Sequence, residues 1–203
     1  MQPHEIGHSY DQIAERWHGD SFPRANGMAQ HEKAIAFLRQ KRHALDVGCG
    51  SNGRIIDLLL HHGFVVEGLD ISPRMIELAQ ARHPNVAFHQ ADICQWQLPR
   101  PYDLISAWDS IWHIALAAQE PVMRKLMQGL RPGGVLIYTT AGLDAPAEKV
   151  DSAMGVPVSY GVLGIPNTLK LIDACNCVCR HLEYDQYPEL HLYLIVQKLP
   201  DRE

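Results

Sequence analysis

The sequence predicts an α/β fold: a seven-stranded sheet, mostly parallel and wound with helices on both faces, ending in an antiparallel strand pair. Three observations carry that expectation. Short apolar runs alternate with helix-period patterns from Ala44 onward. A glycine turn, Gly48, Gly50 and Gly53, follows the first apolar run and opens the first helix behind it. The last two runs, Cys177 to Tyr184 and His191 to Lys198, are linked by too few residues for a parallel crossover, which needs a dozen or more.

The bulk properties narrow the setting. A chain of 203 residues suffices for one well-buried core and is short for two, so a single domain is expected. With 46% hydrophobic and 20% charged residues the composition is that of an ordinary globular protein, and no run approaches the roughly 18 apolar residues of a membrane span. The first residues, MQPHEIGHSYDQ, show no basic segment leading into an apolar one, so no secretory signal is read and a cytoplasmic location is expected. Five cysteines, an odd count, suit reduced thiols better than a disulfide framework. The net charge of -5 supplies no basic field for a phosphate backbone, so neither nucleic acid nor membrane is expected as a partner. Oligomeric state is not legible.

Taken in order, Ser9 to Trp17 puts Tyr10, Ile13, Ala14 and Trp17 on one helical face, with Ser9 as the cap. Gly19 to Pro23 breaks the pattern, and Asn26 to Arg42 resumes it as a second helix. These two make an N-terminal helical flap over 1–42. Tyr10 and Trp17 either anchor that flap to the core or face a ligand. A ligand-binding core over 43–140 follows, with strands at Ala44 to Val47, Val65 to Leu69, Val86 to His89, Tyr102 to Ala107 and Gly134 to Thr139. Helices are expected at Gly53 to His62, Pro73 to Arg82 and Pro121 to Leu130, the second capped by Ser72 and the third opened by Pro121. Residues 141–165 are rich in Gly, Pro and small residues and are expected to form a lid-like loop. A helix at Pro166 to Cys175 and the antiparallel pair complete 166–203.

The glycine order G-x-G-x-x-G alone fits any nucleotide-like ligand, a dinucleotide included. Asp70 ends the second strand 22 positions after Gly48, a spacing at which a carboxylate accepts hydrogen bonds from a ribose diol. Asp46 lies two residues before Gly48, where a carboxylate suits a cationic ligand better than a pyrophosphate. Asp92, in QADIC at the end of the third strand, adds a polar group able to address an adenine amine, with Ile93 beside it as an apolar wall.

With these residues in place the chain resembles the class I S-adenosylmethionine-dependent methyltransferases, in their small-molecule branch. LDVGCGSNG, VEGLDIS, FHQADICQWQLP, YDLISAWDSIWHI and LRPGGVLIYTT stand in the order of that family's motifs, in register from Ala44 to Thr140. The resemblance implies a Rossmann-like fold, S-adenosylmethionine as cofactor, S-adenosylhomocysteine as product, and methylation of a small-molecule acceptor. It further implies that Asp46, Gly48, Cys49 and Gly50 line the methionine half of the cofactor and that Asp70 binds the ribose hydroxyls. Ile71 would pack on the adenine, Asp92 and Ile93 would sit at its edge, and Trp108 would lie near the ribose or sulfonium. Tyr10 is implied as an aromatic closing over the cofactor. Ser51 and Asn52 depart from the residues usual at those two positions. Trp108, Asp109 and Ser110 stand where base-methylating relatives carry Asn or Asp followed by Pro-Pro and an aromatic.

For the acceptor, Asp109 and His113 share a face if their segment is helical, the histidine as general base and the carboxylate orienting it. A histidine satisfied by local hydrogen bonds is the alternative. Met154 and Tyr160 are candidates for the acceptor pocket. Cys175, Cys177 and Cys179, with His181, alternate along a strand; their one-residue spacing suits core packing better than a tetrahedral metal site, and no metal is expected. Two other functions stay open: an NAD(P)-dependent oxidoreductase and a non-catalytic S-adenosylmethionine-binding protein.

Overall fold

The computed structural model describes residues 1–19 and 23–200. In chain order the elements are α1 (Pro3–His18), α2 (Met28–Ile35), β1 (His43–Val47), α3 (Arg54–His61), β2 (Val65–Asp70), α4 (Pro73–Arg82), β3 (Ala87–Gln90) and β4 (Tyr102–Ala107). Then come α5 (Leu116–Gln128), β5 (Leu130–Ala141), β6 (Ala147–Asp151), β7 (Val158–Val162), α6 (Ile165–Ala174), β8 (Cys177–Tyr184) and β9 (His191–Lys198). Seven strands form one sheet in the order β3-β2-β1-β4-β5-β9-β8, and β6 pairs with β7 in a separate two-stranded sheet. The pairs up to β4–β5 are parallel, and β9 runs antiparallel to both β5 and β8.

Alternation along the strands explains the layering. Leu45, Val47, Ile105, Ala107, Leu136 and Tyr138 point to one face, where Val122, Leu126 and Leu171 of α5 and α6 cover them. The intervening Ala44, Leu104, Val135 and Ile137 point to the other face and meet Ala34, Ile35, Ile56, Leu59 and Ile76 of α2, α3 and α4. Both faces are buried, so the central strands read as continuous apolar runs. Each fully buried aliphatic side chain contributes about 1.5–3 kcal/mol, and a one-residue slip would exchange the two faces, so the register is strongly specified. Strand order reverses between β1 and β4, which opens a crevice at the strands' carboxyl ends.

Four elements differ from the expectation. The first helix begins at Pro3, because Gln2 and Glu5 form a capping box and Pro3 takes the first helical position. Ser9 is therefore inside the helix, its hydroxyl donating to the Pro157 carbonyl at 2.7 Å. Next, α2 stops at Ile35, where Phe37 and Leu38 bond back three residues and tighten the chain into turns. Pro121 lies within α5 rather than at its start; its absent N–H costs one ladder bond near the helix N-terminus, while Val122–Leu126 and Met123–Met127 keep the buried face continuous. The fourth is 141–165, which holds the hairpin β6–β7 instead of an irregular loop. Val158 and Val162 are buried, whereas β6 is exposed almost throughout and carries no hydrophobic period to betray it. The break expected at Gly19 to Pro23 includes residues 20–22, which lie outside the described residues.

Candidate active site

The glycine turn is built for close approach. The amides of Gly48 and Cys49 both donate to the Leu69 carbonyl, tying the end of β1 to β2. Gly48 has φ +70, and a Cβ there would stand 2.2 Å from Cβ of Ser110, whose hydroxyl donates to the Val47 carbonyl at 2.7 Å. At Gly50, with φ +56, a Cβ would meet nothing within 4 Å, so this backbone faces open space. Its N–H donates to Oδ2 of Asp70 at 2.9 Å, and Oδ1 of the same carboxylate accepts from Ser72 N at 2.9 Å. Asp70 thus fixes the turn and the start of α4 together. Burial pushes its pKa up, against the backbone donors of Ser72, Gly50 and Ile71.

These strand ends open on one cavity at the crevice. Tyr10, Gly48, Cys49, Gly50, Asp70, Ile71, Asp92, Ile93, Trp108, Asp109 and His113 all line it. The structure therefore brings together every candidate cofactor and catalytic residue except Asp46, which lies behind the wall and is 2% exposed; the acceptor-pocket candidates Met154 and Tyr160 also lie outside the cavity. Burial raises the Asp46 carboxyl to about 6, and it is bonded to Ser106. Ser106 Oγ in turn lies 3.0 Å from Nε2 of His31, whose Nδ1 is 2.6 Å from the Gly27 carbonyl. A carbonyl only accepts, so Nδ1 carries a proton. Neutral His31 then accepts from Ser106, and Ser106 can accept from a protonated Asp46.

Asp109 and His113 are not paired. Asp109 sits at φ +53 with its N–H on the Thr139 hydroxyl, and only Ile111–His113 turn as a short 3-10 segment, so no i, i+4 face exists. Its carboxylate meets Nε2 of His191 at 2.9 Å, and Nδ1 of His191 meets Asp185 at 2.5 Å. Burial alone would lower the His191 pKa; the two carboxylates outweigh it and the pKa is raised. His113 faces elsewhere: Nδ1 lies 2.8 Å from the Ser159 carbonyl, and Nε2 lies 2.7 Å from the Tyr10 hydroxyl and 3.1 Å from the Trp112 indole nitrogen. The Ser159 carbonyl fixes the proton on Nδ1 and leaves Nε2 as acceptor. Burial pushes this imidazole down to about 4, so it is neutral at pH 7 with its lone pair engaged, a poor general base.

Trp108 is 3% exposed and donates to Oδ1 of Asn26, with His31, His191 and Tyr193 around its ring. Met154 packs with Ile6, Ile13 and Val158, and the ring of Tyr160 lies tilted against His113 with Lys149 over it; neither Met154 nor Tyr160 lines the cavity. In the cysteine run, Cys175 and Cys177 are buried, and an irregularity between Cys179 and His181 breaks the alternation that would have aligned the histidine. Burial raises all three thiols, Cys177 to about 11. Sequence reasoning missed Arg54, which lines the cavity, and Lys125, whose ammonium donates to the Ile93, Cys94 and Trp96 carbonyls and so holds the Asp92–Ile93 loop. A cation directly after Gly53 is the only signal that pointed to the first; nothing local pointed to the second.

Residues 44–134 match the family described as methyltransferase domain, a span that holds the glycine turn and the carboxyl ends of β1 to β4 but not α1. Over that span the chain is similar to the class I S-adenosylmethionine-dependent methyltransferases. That likeness runs through the glycine turn and favours the methyltransferase reading over the nicotinamide one. Among methyltransferase relatives, trans-aconitate 2-methyltransferase of Rhizobium leguminosarum bv. trifolii is 37% identical over 100 residues, 49% of this chain and 38% of that protein. The 27-O-demethylrifamycin SV methyltransferase of Amycolatopsis mediterranei is 28% identical over 73% of this chain and 65% of its own length. The chain thus spans about two fifths of the first of these relatives. A solved methyltransferase structure, the S-adenosylmethionine-bound amino pentose methyltransferase CalS10 of Micromonospora echinaspora, superposes with a TM-score of 0.68 at 16% identity, over 91% of this chain and 95% of that one. The two chains share the fold.

Proposed function

We propose that this chain is an S-adenosylmethionine-dependent methyltransferase that transfers a methyl group to a small-molecule acceptor by in-line displacement. The carrying observation is Asp70: one buried carboxylate holds both the Gly50 turn and the start of α4 while bordering the cavity beside Ile71, Asp92 and Ile93. The open space at Gly50 fits a ligand passing over the turn. Asp70 addresses the ribose, Ile71 and Ile93 the adenine faces, and Asp92 its edge. Gly48, Cys49, Gly50 and Trp108 border the methionine half, Asp46 supports that wall from behind, and Tyr10 closes over it from α1. Bound there, the cofactor supplies a methyl carbon already activated by a positive sulfur.

The protein's own task is to hold the acceptor in line and exclude water, which supplies much of the rate without a base. His113 and Asp109 serve as wall and anchor rather than as a base and its orienting partner. We further propose that the chain works as one domain, residues 1–42 as flap, 43–140 as cofactor core, 141–165 as cover and 166–203 as the closing unit. Its place is the cytoplasm, a reading supported by five cysteines that stand as free thiols, and nucleic acid is not its substrate, a reading supported by the net charge of -5. No described helix is long and apolar enough to cross a membrane. The test is S-adenosylhomocysteine formation across thiols, phenols, amines, carboxylates and metalloid oxyanions. Turnover of one class is expected; silence from all, with the cofactor bound, would make the chain a binder.

A further inference from the structure

The cavity's charge bears on the acceptor. Among the described side chains lining it, Asp70, Asp92 and Asp109 are carboxylates and Arg54 is the only guanidinium or ammonium. Arg54 is committed: its Nε donates to the Asn26 carbonyl at 2.9 Å, and Asp46 and Asp109 face its charge. His191, behind Asp109, is already shared with Asp185. Cations on the covering elements are engaged too, Arg16 with the Met154 carbonyl at 2.7 Å and Lys149 with Asp151 at 2.7 Å. What α1 and the segment before α5 add is apolar or aromatic: Pro3, Ile6, Tyr10, Ile111 and Ile114. The imidazole of His113 is held as an acceptor by the Ser159 carbonyl and offers no positive charge.

With Asp70 and Asp92 given to the cofactor, a polycarboxylate entering beside it would give up its hydration against Asp109, the neutral His113 and the apolar Pro3, Ile6, Ile111 and Ile114, and each buried carboxylate needs a cation or several donors in exchange. Arg54 is the one described side-chain cation of the wall, and it is already engaged. Resting on the methyltransferase reading, we infer that the acceptor is an uncharged small molecule with an apolar body, and that tricarboxylates of the trans-aconitate kind are not taken. In the transfer the acceptor's lone pair forms the bond to the methyl carbon as the carbon–sulfur bond breaks with its electrons passing to sulfur. The proton of an acceptor hydroxyl or amine leaves to water.

Trans-aconitate and its trimethyl ester share one carbon skeleton and differ by three charges, so the pair isolates the effect. Calorimetry first establishes S-adenosylhomocysteine binding; its failure would sink the cofactor reading and is thereby kept separate. Both compounds are then titrated into the loaded full chain, and S-adenosylhomocysteine formation is followed over phenols, uncharged amides, esters and polycarboxylates. The ester is expected to bind at least tenfold tighter than the acid, with turnover confined to uncharged members. Equal or tighter binding of the acid, or turnover of any di- or tricarboxylate, overturns the inference. So does a panel silent for uncharged members while the cofactor binds.

Discussion

The Tyr10 hydroxyl lies 2.7 Å from Nε2 of His113, joining α1 to the turn after β4 across 103 residues of chain. Ser9 and Arg16 bond the same helix to the 154–157 segment, and Asp11 accepts from Ser72 and Arg74 at the start of α4. The helix is therefore strapped from both sides over the cavity. Changing Tyr10 to Phe removes the bond while keeping the ring, and His113 Nε2 retains only the Trp112 donor. A loss of about 1 kcal/mol in urea unfolding and faster amide exchange confined to α1 are expected. Unchanged exchange in α1 would show that the bond holds nothing.

The chain Asp46–Ser106–His31 makes stability depend on pH in two opposing ways. His31 has its pKa lowered to about 4 by burial, from 6.5; its contribution is complete above 6.5 and is lost as pH falls toward 4. Asp46 is raised to about 6 from 3.8, so its penalty is complete above 6 and is relieved as pH falls to 3.8. Replacing Asp46 with Asn keeps a donor to Ser106 and removes the charge. The variant should melt higher than the parent at pH 8, with the gain shrinking to nothing near pH 4. A gain that does not vary with pH, or a loss at pH 8, would contradict this arrangement.

Lys125 reaches from α5 to three carbonyls of the loop carrying Asp92 and Ile93. Changing it to Met leaves the stem's packing and strands those acceptors, at a cost of roughly 2 kcal/mol. Cofactor affinity should fall about tenfold because the loop loses its position. A melting temperature that drops with affinity unchanged would confine Lys125 to stability.

Where each part of the fold was legible follows from what sets it. The bounds of β8 and β9 could be read directly, because alternation and a short link fix an antiparallel pair locally. The exposed β6 has no apolar period, so only its pairing with β7 defines it. In the site, Asp70 ends β2 and its place on the cavity was legible from its spacing to Gly48, while Asp92 stands two residues past the end of β3 and was legible from its position after that strand. Pairing of Asp109 with His191, 82 residues apart, depends on β9 entering the sheet beside β5, and no local pattern encodes that. The helical face expected for Asp109 and His113 failed for the same reason: Thr139 and Ser159, distant in sequence, set their backbone and ring.

The account's central claim is that Asp70 and the Gly48–Gly50 turn bind a sulfonium nucleoside, and calorimetry with S-adenosylhomocysteine tests it most directly. The parent should bind one equivalent, and Asp70→Ala should raise the Kd tenfold or more, since it removes both the ribose acceptor and the tether on Gly50. A folded parent that binds neither S-adenosylmethionine nor S-adenosylhomocysteine, or an Asp70→Ala variant that binds as tightly as the parent, would contradict it.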